Sequence, residues 1–152
     1  MPDHDAPAFR ADRDLAIGWA ALGFASRAET GIRSVGLTLA QFRVLTHLAW
    51  QASPPSRLAA VLDTRPPSVT RLVDRLVDLG YVERDVDTED RRRVTQVVTP
   101  AGWDALERAC RAIAGEVDAV IADMPSTDGI ALQRGLVRWH TTIAERYWDP
   151  TI

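Results

Sequence analysis

Two arginines four residues apart, and a run of three more, are the residues of this 152-residue chain with the clearest chemistry. Arg71 and Arg75 fall on one side of a helix, because residues four apart lie one above the other. Their forked guanidinium groups can donate paired hydrogen bonds to phosphates or to guanine edges. Residues 91–93 are all arginine, and such a positive run suits the negative potential of a narrow minor groove. These residue types predict a nucleic-acid interface.

Neighbouring polar residues extend both arginine groups. Ser68 and Thr70 add hydroxyls near Arg71, and Asp90 is placed to orient an arginine of the run. A second interpretation stays open for the helical pair: a solvated face on which the two arginines form ion pairs with acids of their own helix. The acids in question are Asp74 and Asp78.

The helical pair belongs to the segment RPPSVTRLVDRLVDLG at 65–80, which has the pattern of a helix buried on one face. Pro66 and Pro67 suit its first turn, where amide groups have no helical partner, and Gly80 suits its C-terminal cap. The apolar side of this helix is predicted to consist of Val69, Leu72, Val73, Leu76 and Leu79.

The remaining elements follow from periodicity and turn residues. Before this segment we expect helices at about 9–30, ended by Gly31, at 38–52 and at 56–62. After it come two short strands, 81–85 and 93–99, joined by a charged loop at 86–92. Helices at about 100–123, capped by Thr99, and 127–147 complete the chain. The order predicts a mainly α fold with a small β-hairpin wing, a winged helix-turn-helix.

Composition limits the function classes. The chain is 46% hydrophobic, so one globular domain can bury a core, and it contains no apolar run long enough for a signal core or a membrane span. We therefore expect a cytoplasmic protein with no membrane partner. The net charge of −3 counts against nucleic-acid binding, although the acidic excess lies downstream of residue 93.

Residues 36–105 resemble the MarR family of bacterial transcriptional regulators. LTLAQFRVLTHLA at 37–49 resembles the second helix of the family, and SVTRLVDRLVDLGYVERDVDTEDRRRVTQVVTPAG at 68–102 resembles its recognition helix, wing and following helix. The resemblance implies that Arg92 enters the minor groove while Asp90 holds its guanidinium, and that Arg84 touches the DNA backbone. One departure is Pro66-Pro67, which removes two backbone donors at the helix start. The predicted DNA-binding residues are Ser68, Thr70, Arg71, Arg75, Arg84, Asp90, Arg91 and Arg92.

The resemblance also implies an assembly and a mode of regulation. Residues 1–152 form one MarR-like domain, with dimerisation helices at about 9–35 and 100–148 around a winged helix-turn-helix at about 38–99. A homodimer then binds a palindromic operator of double-stranded DNA. It acts as a repressor that a small aromatic or phenolic inducer releases. Residues that could line the inducer site, although they suit a core or an interface better, are Trp19, His47, Trp50, Trp103 and His140.

Other function classes have weaker support. A winged helix used only for protein contacts would explain the negative net charge. A redox-sensing regulator would use Cys110, but a lone cysteine in a helix is better interpreted as a small buried residue. We do not expect an enzyme, a cofactor or a metal site, because the three histidines lack metal-ligand spacing and no glycine-rich phosphate loop is present.

Overall fold

The computed structural model describes residues 12–86 and 94–147. Within them lie six helices and one antiparallel hairpin, in the predicted order, so the predicted fold class is confirmed. The elements are α1 (Arg13–Ser34), α2 (Leu39–Trp50), α3 (Pro55–Val61), α4 (Pro66–Asp78), β1 (Val82–Val86), β2 (Val94–Val98), α5 (Pro100–Ile121) and α6 (Ser126–Tyr147).

Local sequence explains where several helices begin and end. Thr38 and Gln41 form a reciprocal capping box at the start of α2. At the end of α4, the Gly80 amide donates to Val77 O at 2.8 Å and the Tyr81 amide donates to Leu76 O at 2.9 Å. This pair of bonds requires a left-handed residue, and Gly80 supplies it with a φ of +73°. The predicted glycine cap of α4 is therefore present.

Helices α2, α3 and α4 pack around one core, to which β1 and α5 contribute side chains. Val69, Val73 and Leu76 of the predicted apolar face of α4 are buried, but Leu79 is exposed because it lies at the C-cap. In α2 the buried residues are Gln41, Val44, Leu45 and Leu48, whereas Leu39 is exposed. The largest fully buried apolar side chains are Ile32, Val44, Leu45, Leu58, Val69, Val73, Leu76 and Val82.

Helix α1 runs along α5, and the two are joined most closely near the end of α1. Gly31, which we expected to end the helix, lies inside it instead. A Cβ at this position would come within 2.7 Å of the Ile113 backbone nitrogen, so glycine permits the helices to touch backbone to backbone. An ion pair between Arg27 and Glu116, at 3.5 Å, adds a second link. The chain leaves α1 only after Ser34.

The first half of α1 and most of α6 pack against little else in the subunit. Leu15, Trp19 and Leu22 of α1 are all exposed. Helix α6 is linked to α5 by Gln133, which donates to Asp118 at 3.0 Å. None of the described helices is both long and apolar enough to cross a membrane. The exposed large apolar side chains of these two helices are Leu15, Ile17, Trp19, Leu22, Phe24, Ile130, Leu132, Val137 and Trp139.

Candidate nucleic-acid interface

The polar face of α4 points into solvent along its whole length. Ser68, Thr70, Arg71 and Arg75 are all exposed. The opposite face is buried in the core, which prevents the helix from turning. The four predicted residues of α4 therefore lie together on one rigid outer surface.

The ion pairs among the described residues do not include the two arginines of this face. Neither Arg71 nor Arg75 forms an ion pair with any residue inside the described ranges. Asp74, which lies between them, pairs instead with Arg84 of β1. The alternative of a self-neutralised helix face, with Arg71 and Arg75 bound to Asp74 and Asp78, is therefore not what forms.

The Asp74–Arg84 ion pair joins α4 to the wing. Both side chains are half exposed, so the pair contributes at most about 1 kcal/mol of stability. Its consequence for the site is geometric, because it brings the Arg84 side chain of β1 to the outer face of α4. Arg84, predicted to touch the DNA backbone, thus lies next to the arginines of α4, where the sequence alone did not place it.

The start of α4 has few groups that can donate to a phosphate. Pro66 and Pro67 have no amide hydrogen, and the Ser68 amide donates to Arg65 O at 2.9 Å. The Thr70 hydroxyl donates to Pro66 O at 3.2 Å, so its hydrogen is also engaged. Side chains, rather than the helix terminus, must therefore supply any contact to DNA at this end.

A second junction ties α4, the wing and α5 together. Thr99 Oγ1 donates to Gly80 O at 2.6 Å and accepts from the Gly102 amide at 3.1 Å, which confirms its predicted capping role. A Cβ on Gly102 would overlap the Tyr81 carbonyl oxygen, so only glycine lets α5 approach this closely. The sequence analysis did not identify Gly102 as a close-contact residue. Its position three residues after the Thr99 cap could have indicated that role.

The wing is a two-stranded sheet with Val82 opposite Val98 and Val86 opposite Val94. Ser53, in the loop between α2 and α3, pairs with Gln96 of β2 and so fastens the wing to the helical core. The predicted tip residues Asp90, Arg91 and Arg92 lie outside the described residues. Their minor-groove role stays a prediction.

His47 lies beneath this attachment point. Its Nε2 is 3.0 Å from the Ser53 hydroxyl, which itself donates to Gln51 O at 3.3 Å. Burial, and then the positive charge of Arg57, lower the pKa of His47 below its usual value of 6.5. The folded protein therefore prefers the neutral imidazole.

This preference predicts an acid-sensitive fold. The unfolded chain takes up a proton near pH 6.5, whereas folded His47 does so only at lower pH. Its contribution to stability is full above pH 6.5 and is lost as the pH falls through the folded pKa. Chemical denaturation should show that lowering the pH from about 7.5 to about 5.5 costs the wild type more stability than His47→Gln. Parallel curves for the two proteins would contradict this prediction.

The residues considered for an inducer site are spread over several elements. Trp19, Trp50 and Trp103 are all exposed and so are not core residues of the subunit. The structure brings one pair of the candidate rings close together: the ring centres of Trp50, on α2, and His140, on α6, are 6.5 Å apart. This contact joins the winged part of the chain to its last helix.

Cys110 gives little support to the redox alternative. It is not the buried residue that we expected, since it lies on the exposed side of α5. Partial burial, and then the charge of nearby Glu107, raise the pKa of its thiol. A raised pKa lowers the fraction of reactive thiolate at neutral pH, which is the opposite of what redox sensors need.

Comparison with known proteins shows that the winged part of this chain is similar in sequence to bacterial transcriptional regulators. Residues 35–93 match the sequence model of the MarR family. An HTH-type transcriptional regulator of Mycobacterium leprae is 38% identical over 77 residues, 50% of this chain and 54% of that protein. The multiple antibiotic resistance protein MarR of Escherichia coli is 36% identical over 81 residues, 53% of this chain and 56% of that protein. The chain thus spans little more than half the length of these relatives.

Solved structures extend the likeness beyond the winged part. A transcriptional regulator of Thermotoga maritima superposes with a TM-score of 0.70 at 21% identity, covering 90% of this chain and 96% of that one. A mutant of MepR from S. aureus, bound to an oligodeoxyribonucleotide, superposes with a TM-score of 0.65 at 16% identity over 87% of this chain and 98% of that one. At these identities the likeness establishes the fold. This chain is therefore similar to the MarR family in sequence at residues 35–93 and to the solved regulators in fold.

Proposed function

We propose that this protein binds double-stranded DNA sequence-specifically and regulates transcription. The observation that carries the proposal is the outer face of α4, where Arg71 and Arg75 are exposed and form no ion pair within the described residues. Guanidinium groups held on a rigid helix can reach base edges in the major groove, which is wide enough to admit a helix. The match of residues 35–93 to the MarR family model supports the same role.

In the proposed complex, α4 lies in the major groove and the hairpin follows the DNA backbone. Arg71 and Arg75 contact bases or phosphates, with Ser68 and Thr70 beside them, and Arg84 approaches a phosphate where the wing begins. Asp90 orients Arg92 in the minor groove, with Arg91 adjacent. The Asp74–Arg84 pair keeps both reading elements on one side of the subunit.

We propose that residues 1–152 act as one unit and that two copies form a homodimer through α1, α5 and α6. The support is the amount of apolar surface that the subunit leaves exposed on α1 and α6, including Leu22 at 64% and Val137 at 70% exposure. Exposed apolar surface on this scale is typical of protein contacts. Two-fold symmetry predicts a palindromic operator, and a DNA partner implies a cytoplasmic protein.

We also propose that the protein is a repressor and that a small aromatic or phenolic inducer releases it from DNA. An inducer must bind one arrangement of the dimer more tightly than another, so it must touch both the winged part and the terminal helices. The Trp50–His140 contact joins these two parts and supports a site there. A screen of phenolic and aromatic acids against operator binding tests the idea, and a complete lack of effect would contradict it.

Arg92→Ala tests the DNA-binding proposal through the wing. The variant should bind duplex DNA more weakly, and the slope of log affinity against log salt should become shallower by about one unit. Fluorescence anisotropy at several salt concentrations measures both quantities. Arg92→Lys is the matched control, since it keeps the charge and should keep most of the slope. If the wild type shows no salt-dependent affinity for any duplex, the chain is better explained as a protein-interaction module.

A further inference from the structure

The outer face of α4 carries one apolar feature among its polar side chains. Pro66 and Pro67 are both exposed, whereas every other apolar residue of α4 is buried or partly buried. The other exposed residues of this helix are Ser68, Thr70, Arg71, Asp74, Arg75 and Asp78.

This feature cannot act through hydrogen bonds. Proline has no amide hydrogen, and the next two amides, of Ser68 and Val69, both donate to Arg65 O at 2.9 and 3.3 Å. The leading end of α4 therefore presents ring methylene groups where helices in DNA grooves commonly present amide donors to a phosphate. The contact that these ring methylene groups suit best is one with an apolar group.

Pro67 is aligned with Arg71 along the helix. The two residues are four apart, so they lie in one row on the outer face, about 6 Å apart along the helix axis. Pro66 is turned about 100° away, toward the side of Thr70. Because stacked bases are about 3.4 Å apart, the ring of Pro67 lies within about two base pairs of a base that Arg71 contacts.

The major-groove edges of the bases offer an apolar group at one position. Thymine carries a C5-methyl there, while the other groups on these edges are hydrogen-bond donors or acceptors. A cytosine methylated at C5 presents the same methyl. Both sources are therefore compatible with an apolar surface on the helix.

We propose that Pro67 is a specificity-determining residue that packs against the C5-methyl of a pyrimidine in each operator half-site. The inference rests on the proposed function, because it requires α4 to lie in the major groove. The inference goes beyond that function because it names a chemical feature of the operator, the C5-methyl group, which Arg71 and Arg75 do not contact.

The experiment uses the full chain and an operator selected from genomic DNA. Each thymine of one half-site is replaced in turn by uracil, which removes only the methyl. One replacement, close to a base that Arg71 reads, should weaken binding by the wild type about fourfold, the value for exposing one methyl-sized group. Pro67→Ser should bind the thymine and uracil duplexes equally. Pro100→Ser, a matched change at an exposed first-turn proline of α5, should discriminate like the wild type.

Further duplexes separate the two sources of the methyl. If the source is thymine, replacing it by cytosine should lose affinity and 5-methylcytosine at the same place should restore it. If the source is methylated cytosine, a cytosine-methylated fragment should bind more tightly than the unmethylated one, and Pro67→Ser should abolish the difference. Circular dichroism checks that the variant folds, and Pro67→Gln, which also replaces the apolar ring by a polar side chain, provides a second variant if it does not.

Several outcomes would overturn the inference. If the wild type binds its operator specifically but ignores every uracil and every cytosine methyl, Pro67 reads no methyl and the proposed function stands. If Pro67→Ser and the wild type lose the same affinity on uracil, another residue contacts the methyl. If no duplex is bound specifically, the proposed function itself fails.

Discussion

Arg71→Ala and Arg75→Ala should each weaken binding to the selected operator by about 1 to 3 kcal/mol, the range for losing one bidentate base contact. Binding to unrelated duplex should fall much less, so the variants should also lose sequence preference. The physical reason is that each arginine is exposed and forms no ion pair within the described chain, so its guanidinium is not already occupied. Titrations of operator and random duplex at one salt concentration measure both effects.

The control for this prediction is Arg43→Ala. Arg43 is also exposed and on a helix, but it lies on α2, outside the proposed DNA and dimer interfaces. Its loss should leave the operator-to-random affinity ratio unchanged, which separates a general loss of positive charge from the loss of a base contact. If Arg71→Ala and Arg43→Ala behave alike, α4 does not read the operator.

Leu22→Glu should raise the dissociation constant of the dimer at least about a hundredfold, because symmetry places the new charge at the contact twice. Leu22 is 64% exposed in the subunit, so glutamate costs the isolated fold little. Loss of the dimer should also lower operator affinity, because the two DNA-binding parts no longer bind the two half-sites as one unit. Light scattering after size-exclusion chromatography gives the oligomeric state, and anisotropy gives the affinity.

Two further variants serve as a control and as a second test of the dimer interface. Leu22→Met keeps an apolar side chain of similar volume and should leave the dimer intact. Val137→Glu, on α6, should act like Leu22→Glu if both helices belong to one interface. The proposed interface would be wrong if Leu22→Glu stayed folded, dimeric and fully active on DNA.

Much of the winged part could be predicted from sequence because it depends on short-range rules. The alternation of apolar and polar residues in α4 indicated its buried side, and Gly80 and Thr99 marked two element ends through backbone geometry and capping. These effects act between residues within one turn, so they can be recognised without knowing the fold. The same rules missed the extension of α1 beyond Gly31, since the reason for that glycine lies on α5.

What the sequence determined by itself is the order of the elements, the amphipathic recognition helix and the residue types on its outer face. Only the tertiary structure decided that Asp74 pairs with Arg84 rather than with Arg71 or Arg75, and that Gly102 lets α5 touch the base of the wing. It also decided that the apolar stripe of α1 stays exposed in the subunit. The physical reason is that periodicity shows which side of a helix is apolar, whereas the contact that covers it depends on residues far away in the chain or in another copy.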